Sequence, residues 1–312
     1  MITREKRLEQ LKYVVDSSEH VKINYDKISE YIKLLDLSHS SYWFHKDWLD
    51  LSEEEYIRMM FLIESMNFCF WKEPYFEKEF FGKQYKKSTA MFFSMIDKIR
   101  KDANFLEMGH LLQVTKEELL DIFGGNKNLP FLEERYQNFM ETVTILNQKK
   151  KLFYQELYSI TSDEELLDYI VSNFPSFNDV SQYKGETIYF YKRATLLVRD
   201  LFEVSSKIHS NIGMIDRLLG CADYGIPRTF RHFGILEYSD VLSEMVDSRE
   251  LIPHDSNYEI EIRANMLYAL EFIREFLQKS GRKINSIELD NIIWSTGRNI
   301  EEEHHLTKTI FY

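Results

Sequence analysis

The sequence predicts an all-α fold, a compact two-lobed helical domain with at most one short β-hairpin near residues 180–191. Three observations carry this. Only 11 Gly and 5 Pro interrupt 312 residues. Apolar residues recur at helical spacing through most segments. Hydrophobic residues make up 44% of the chain, including 23 Phe and 19 Tyr, enough to bury a large core. No repeat, low-complexity tract or linker divides the chain, so one domain over residues 1–312 is expected.

The elements follow in order. Residues 4–16 are charged and amphipathic. Residues 24–36 place Ile28, Tyr31, Ile32 and Leu35 on one face. Ser52-Glu53-Glu54-Glu55 is a capping box that opens a helix through Met66. Residues 88–101 and 116–123 read as two more helices, and Gly124-Gly125-Asn126 as a turn. After Pro130 a helix runs from Leu132 to about Lys149, with Phe139, Val143 and Leu146 inward. Ser162-Asp163-Glu164-Glu165 caps another, ended by Pro175. Gly185 and the alternation Thr187-Ile188-Tyr189-Phe190 mark the hairpin. Helical spacing returns from Lys192 to Ile208, over 239–248 and over 262–278, where Gly281 supplies a stop. Ser286 can cap a last helix through Trp294.

The net charge of −12 argues against a protein that lives on duplex DNA or an anionic membrane, since phosphate binding is driven by Lys and Arg. It leaves room for a small phosphorylated ligand held by one or two cations. Two cysteines, Cys69 and Cys221, both in apolar surroundings, suit a reducing compartment. The first residues lack a signal-like apolar region, and no apolar run approaches the roughly 20 residues that span a bilayer. A soluble cytoplasmic protein is expected.

The chemistry is placed in Leu218-Leu219-Gly220-Cys221-Ala222-Asp223-Tyr224-Gly225-Ile226-Pro227. Pro227 clashes with a helical carbonyl four residues back, that of Asp223, so Asp223 is expected where a helix breaks. A carboxylate among apolar neighbours is either paired or functional. The plainer alternative is a helix-end Asp bonded to nearby amides.

Several strings then occur together in order: Asn67-Phe68-Cys69-Phe70-Trp71, Glu133-Glu134-Arg135, Phe174-Pro175-Ser176-Phe177, Phe190-Tyr191-Lys192-Arg193-Ala194, Ala222-Asp223-Tyr224, Leu236-Glu237-Tyr238-Ser239, Glu259-Ile260-Glu261-Ile262-Arg263-Ala264 and Asn285-Ser286-Ile287-Glu288-Leu289-Asp290. From about residue 40 to Tyr312 the chain resembles the queuosine salvage proteins, which are queuosine 5′-phosphate N-glycosylases. The resemblance implies an all-helical fold related to DNA glycosylases. It also implies hydrolysis of the N-glycosidic bond of queuosine 5′-monophosphate, with release of queuine for tRNA modification.

On that resemblance the catalytic aspartate maps onto Asp223. The chemistry needs such a group, because cleaving a ribosyl C–N bond builds positive charge on the sugar that a carboxylate stabilises, as an electrostatic partner or as a nucleophile. Asp290 lies on the stripe Ile287–Asp290–Trp294, where an apolar residue is expected. It is therefore a candidate contact to the polar base, or else a buried Asp bonded to backbone or Arg. Asn67, Phe68, Cys69, Phe70 and Trp71 would line the base pocket, or serve as core. Lys192 and Arg193 suit a phosphate dianion, or a solvated helix start. His45 aligns loosely with a histidine of bacterial members, or is a surface residue. Ala222, Tyr224 and Trp294 complete the substrate-binding set. Arg263 is expected in a structural ion pair.

No cofactor or metal is expected, and no direct nucleic-acid contact or membrane. The chain departs from the family's pattern at Gly225 and Arg228, flanking a segment where members carry Arg and Gln, and at Ser295, where an acidic residue is common. Two other readings compete. Glu301-Glu302-Glu303-His304-His305 could serve a metal hydrolase, but adjacent histidines diverge and the string reads as a charged tail. A non-catalytic helical module binding a modified nucleoside or tRNA is the other.

Overall fold

The computed structural model describes residues 1–37, 42–124 and 129–312. Caps set the helix starts. The Thr3, Ser52, Thr115, Ser162, Ser239, Ser256 and Asn285 side chains each accept an amide from the first turn of the helix that follows. The helices are α1 (Arg4–Ser17), α2 (Tyr25–Tyr31), α3 (Glu53–Ser65), α4 (Lys87–Lys101), α5 (Met108–Leu111), α6 (Lys116–Ile122), α7 (Leu132–Lys149), α8 (Lys151–Ser159), α9 (Asp163–Asn173), α10 (Lys192–Val204), α11 (Ser206–Ile212), α12 (Gly225–His232), α13 (Asp240–Asp247), α14 (Asn257–Lys279) and α15 (Ser286–Thr296). None of them is long and apolar enough to cross a membrane.

The expected hairpin is present: β4 (Val180–Tyr183) pairs with β5 (Glu186–Tyr189), Val180 opposite Tyr189. Two further antiparallel pairs were not expected. They are β1 (Val21–Ile23) with β6 (Leu236–Tyr238), and β2 (Glu77–Phe80) with β3 (Lys83–Lys86). The predicted turn at 124–126 lies mostly outside the described residues. The last helix is capped by Asn285 in a capping box with Glu288, not by Ser286. The predicted Lys192–Ile208 helix is cut at Ser205, which ends α10 and caps α11.

The apolar faces collect into two clusters, matching the two-lobed expectation. One joins α3, α4 and α6 to α10, with Phe61, Met91, Phe139, Phe153 and Leu197 at its centre. The other joins α1, α12, α14 and α15 through Leu11, Phe230, Ile262, Leu270 and Ile293. Leu218 belongs to the first cluster and Leu219 to the second. The chain thus passes from one core to the other immediately before Gly220.

A buried ion pair braces that crossing. Arg263 of α14 donates to Asp179 through Nη2 at 2.6 Å and Nη1 at 3.1 Å, and Nη1 also reaches Glu259 Oε1 at 3.3 Å. Its Nε donates to the carbonyl of Ala222 at 3.1 Å. Asp179 in turn accepts the backbone amide of Lys192, and its carbonyl accepts those of Phe190 and Tyr191. Arg263, Asp179 and Glu259 are all fully enclosed. Arg263→Met should therefore leave two carboxylates without their counter-ion and cost on the order of 3–5 kcal/mol of stability in denaturant unfolding. A cost below about 1 kcal/mol would contradict this role for the pair.

Candidate active site

The segment 220–226 is shaped by close approach. A Cβ on Gly220 would lie 2.9 Å from Asp290 Oδ2 and 3.0 Å from Leu270, so only glycine lets α14 and α15 come this near. The amide of Cys221 donates to Asp290 Oδ2 at 2.7 Å. Asp223 Oδ1 accepts the amides of Gly225 at 2.8 Å and Ile226 at 3.3 Å, at the start of α12. Pro227 sits in that first turn, where a missing N–H costs nothing. It helps to start a helix rather than break one, which corrects the expected break. A Cβ on Gly225 would lie 3.0 Å from Trp294 and 3.5 Å from Asp223 Oδ1. This chain's glycine at 225 is what lets Trp294 pack against the aspartate turn.

Asp223 thus caps a helix with one oxygen. No hydrogen bond reaches Oδ2 among the described residues, and the side chain is only partly buried. Burial raises its pKa above the ordinary carboxylate value. The Lys192 ammonium opposes that most, followed by the Gly225 and Ile226 amides and Arg228. Lys192 is buried at the start of α10, and its backbone amide is held by Asp179. Asp290 is pushed up to about 7, first by burial and then by the Asp223 charge. Asp223, Lys192, Cys221 and Asp290 therefore act on one another as one electrostatic unit. The Cys221 thiol is driven upward by burial and by Asp290, which keeps it neutral and unreactive.

Glu64 joins this unit and was missed by the sequence reading. It is buried on α3, accepts Asn67 Nδ2 at 3.0 Å through Oε2, and leaves Oε1 enclosed without a partner. Burial and then the Asp200 carboxylate raise its pKa, and Lys192 opposes them. The available signal was a lone acid inside the apolar run Phe61-Leu62-Ile63-Glu64.

The other expected residues divide. Arg193 is not available to a phosphate. It is fully buried, with Nη1 donating to the carbonyls of Glu64 and Ser65 and Nη2 to that of Ser176, so it serves as a strut. Phe68 lies between two guanidinium groups, Arg135 at 4.4 Å and Arg193 at 5.3 Å from its ring. Phe70 also faces Arg135 at 4.4 Å. Arg135 donates to the carbonyls of Pro130, Met66, Phe68 and Cys69, so it holds this loop from behind. A segment that the sequence reading left unused, residues 306–312, holds the loop from the other side. Cys69 donates its amide to the Tyr312 carbonyl at 2.8 Å and its thiol to Thr309, and Trp71 Nε1 donates to Thr307. Tyr224 is close to this loop, with Cys69 and the Phe70 backbone among the groups acting on its hydroxyl. His45 is exposed, with its ring against Trp48.

His304 and His305 are buried, not part of a solvated tail. The His304 ring stacks on Tyr224 with centroids 4.4 Å apart, while His305 faces Tyr312. They diverge as expected. Among the described residues one group has metal-ligand proximity: His254, Asp255 and Glu259, with ligand atoms within 4.8 Å. Glu259 is already neutralised by Arg263, so a cation there would face a guanidinium.

The queuosine salvage protein model matches residues 44–312. Three relatives carry the name queuosine 5′-phosphate N-glycosylase/hydrolase. One from Sphaerobacter thermophilus is 30% identical over 310 residues, 96% of this chain and 95% of that protein. One from Mus musculus is 29% identical over 331 residues, 97% of this chain and 98% of its own length. One from Dictyostelium discoideum is 27% identical over 321 residues, 96% of each chain. With the family match spanning most of the sequence and the aspartate turn built as described, this chain belongs to the queuosine salvage protein family.

Proposed function

We propose that this chain hydrolyses the N-glycosidic bond of queuosine 5′-monophosphate and releases queuine, acting in the cytoplasm as one domain over residues 1–312 without a cofactor or a direct nucleic-acid contact. The observation that carries the reading is the unshared Oδ2 of Asp223, whose Oδ1 is held by two helix amides and whose charge the buried Lys192 favours. The names of the relatives support the substrate.

The geometry suggests a division of labour. Ionised Asp223, anchored through Oδ1, presents Oδ2 to the anomeric carbon, where positive charge grows as the C–N bond lengthens. Water supplies hydroxide to that carbon, and the departing base takes up a proton. Asp290 and Glu64, whose protonated forms burial favours, serve as proton and hydrogen-bond donors to the polar base. Lys192 holds the balance between these carboxyls. Asn67 and Tyr224 complete the surroundings, and Trp294 fixes the turn from outside.

Asp223→Asn keeps an oxygen for the Gly225 and Ile226 amides but removes the charge. Queuine release should fall at least about 10²-fold, the scale of losing one preorganised electrostatic group. The melting temperature should hold or rise, because a buried charge is relieved. Near-normal turnover by the folded variant, followed chromatographically, would remove Asp223 from the mechanism.

Asp290 gives a pH test. It keeps its proton up to about pH 7 in the folded chain, whereas an unfolded carboxyl titrates near 4. Folding therefore takes up a proton between these values. The stability from this group is complete below about pH 4 and is lost as pH rises through about 7. Asp290→Asn cannot ionise, so it should narrow the stability difference between pH 5 and pH 8 by roughly 2 kcal/mol in melts of the two proteins. An unchanged difference would contradict the protonated state.

A further inference from the structure

We propose that His304 is a positioning residue for Asp223: its ring, stacked on Tyr224, holds the turn that presents the carboxylate, and residues 304–309 clasp that turn to the 67–71 loop. The consequence for catalysis rests on the reading above.

Asp223 Oδ1 reaches across Tyr224 to the amides of Gly225 at 2.8 Å and Ile226 at 3.3 Å. Tyr224 is therefore the central residue of the turn that the carboxylate closes. Whatever fixes Tyr224 fixes the direction in which Oδ2 points. Tyr224 is partly buried, and the His304 ring lies on it with centroids 4.4 Å apart and planes 22° from parallel. Trp294 packs on the next residue, Gly225, so α15 and the His304 segment hold neighbouring points of one turn.

The imidazole is built to hold, not to exchange protons. It is 7% exposed, and Nδ1 donates to the carbonyl of His305 at 2.8 Å, which fixes both the tautomer and the ring plane. Burial holds its pKa down to about 3, so the ring is neutral. Both flanks are pinned. Glu303 accepts Arg249 Nη1 at 2.8 Å and 2.9 Å, and the carbonyl of Leu306 accepts the amide of Ile252 at 2.8 Å. Further along, the carbonyl of Thr307 accepts Trp71 Nε1 at 3.3 Å, and that of Thr309 accepts the Cys69 thiol at 2.9 Å. One short stretch thus touches the aspartate turn through a ring and the 67–71 loop through its carbonyls.

Two substitutions separate the stack from the hydrogen bond. His304→Asn keeps a donor for the His305 carbonyl and loses the ring; His304→Phe keeps a ring for Tyr224 and loses the donor. In hydrogen–deuterium exchange of the full chain, the amides of Gly225 and Ile226 should exchange at least about tenfold faster in His304→Asn, and within about threefold of the parent in His304→Phe. Turnover of queuosine 5′-monophosphate should follow the same order. In His304→Asn, kcat should fall at least about tenfold with KM within about threefold of the parent, and His304→Phe should recover it. Unchanged exchange at Gly225 and Ile226 in folded His304→Asn, or parent-like kcat there, would overturn the role. So would folded His304→Phe as slow as His304→Asn, because an imidazole nitrogen and not the stack would then be the working part. Failure of the parent to release queuine would instead overturn the functional reading, while the exchange rates still decide whether His304 holds the turn.

Discussion

Arg263 grips Asp179 with two nitrogens in a place closed to water, and it lays its third on the carbonyl of Ala222. Each of these bonds reaches a different part of the site. Asp179 caps the backbone at Lys192, so it places the ammonium that opposes the other charges. The carbonyl of Ala222 precedes Asp223 in the chain, so the carboxylate is positioned through its own backbone. The rings of Phe190 and Tyr312 cover the guanidinium at 3.9 Å and 4.3 Å, which keeps the pair dry and strong. One buried cation thereby ties both lobes and the 306–312 segment to one turn.

Two aspartates then share one neighbourhood with different duties. Asp223 has two helix amides, a nearby ammonium and partial exposure, all of which favour its charge. Asp290 has burial, a like charge beside it and one amide, and it holds its proton up to about pH 7. Burial raises both, but at Asp223 the Lys192 ammonium and the helix amides oppose the rise, a difference that suits one carboxyl as charge stabiliser and the other as proton carrier. Gly220 and Gly225 make this possible, because any side chain at either position would separate the helices that carry the pair.

Much of this was legible in the sequence. Periodicity and capping located α1, α3, α7 and α9 closely, because these helices announce themselves locally. The hairpin of β4 and β5 was visible in its alternation and Gly185. The apolar stripe through Asp290 correctly marked an inward-facing acid, and Arg263 is the ion-pairing residue it was expected to be. What failed was what depends on distant partners. The β1–β6 pair joins segments more than 200 residues apart and leaves almost no local trace. Pro227 looked like a breaker because its rule is the same at a helix start as in a helix interior, and only the structure says which end it occupies. Arg193 read as a ligand-binding cation because its carbonyl partners on α3 and at Ser176 are invisible in its own string. His304 and His305 read as solvated because the ring that buries one of them belongs to Tyr224.

The most direct test is identification of products. The purified chain, incubated with queuosine 5′-monophosphate, should yield free queuine and ribose 5-phosphate in equal amounts by chromatography with mass detection. Recovery of the nucleotide intact, or of queuosine nucleoside with inorganic phosphate, would contradict an account built on cleavage at the anomeric carbon beside Asp223.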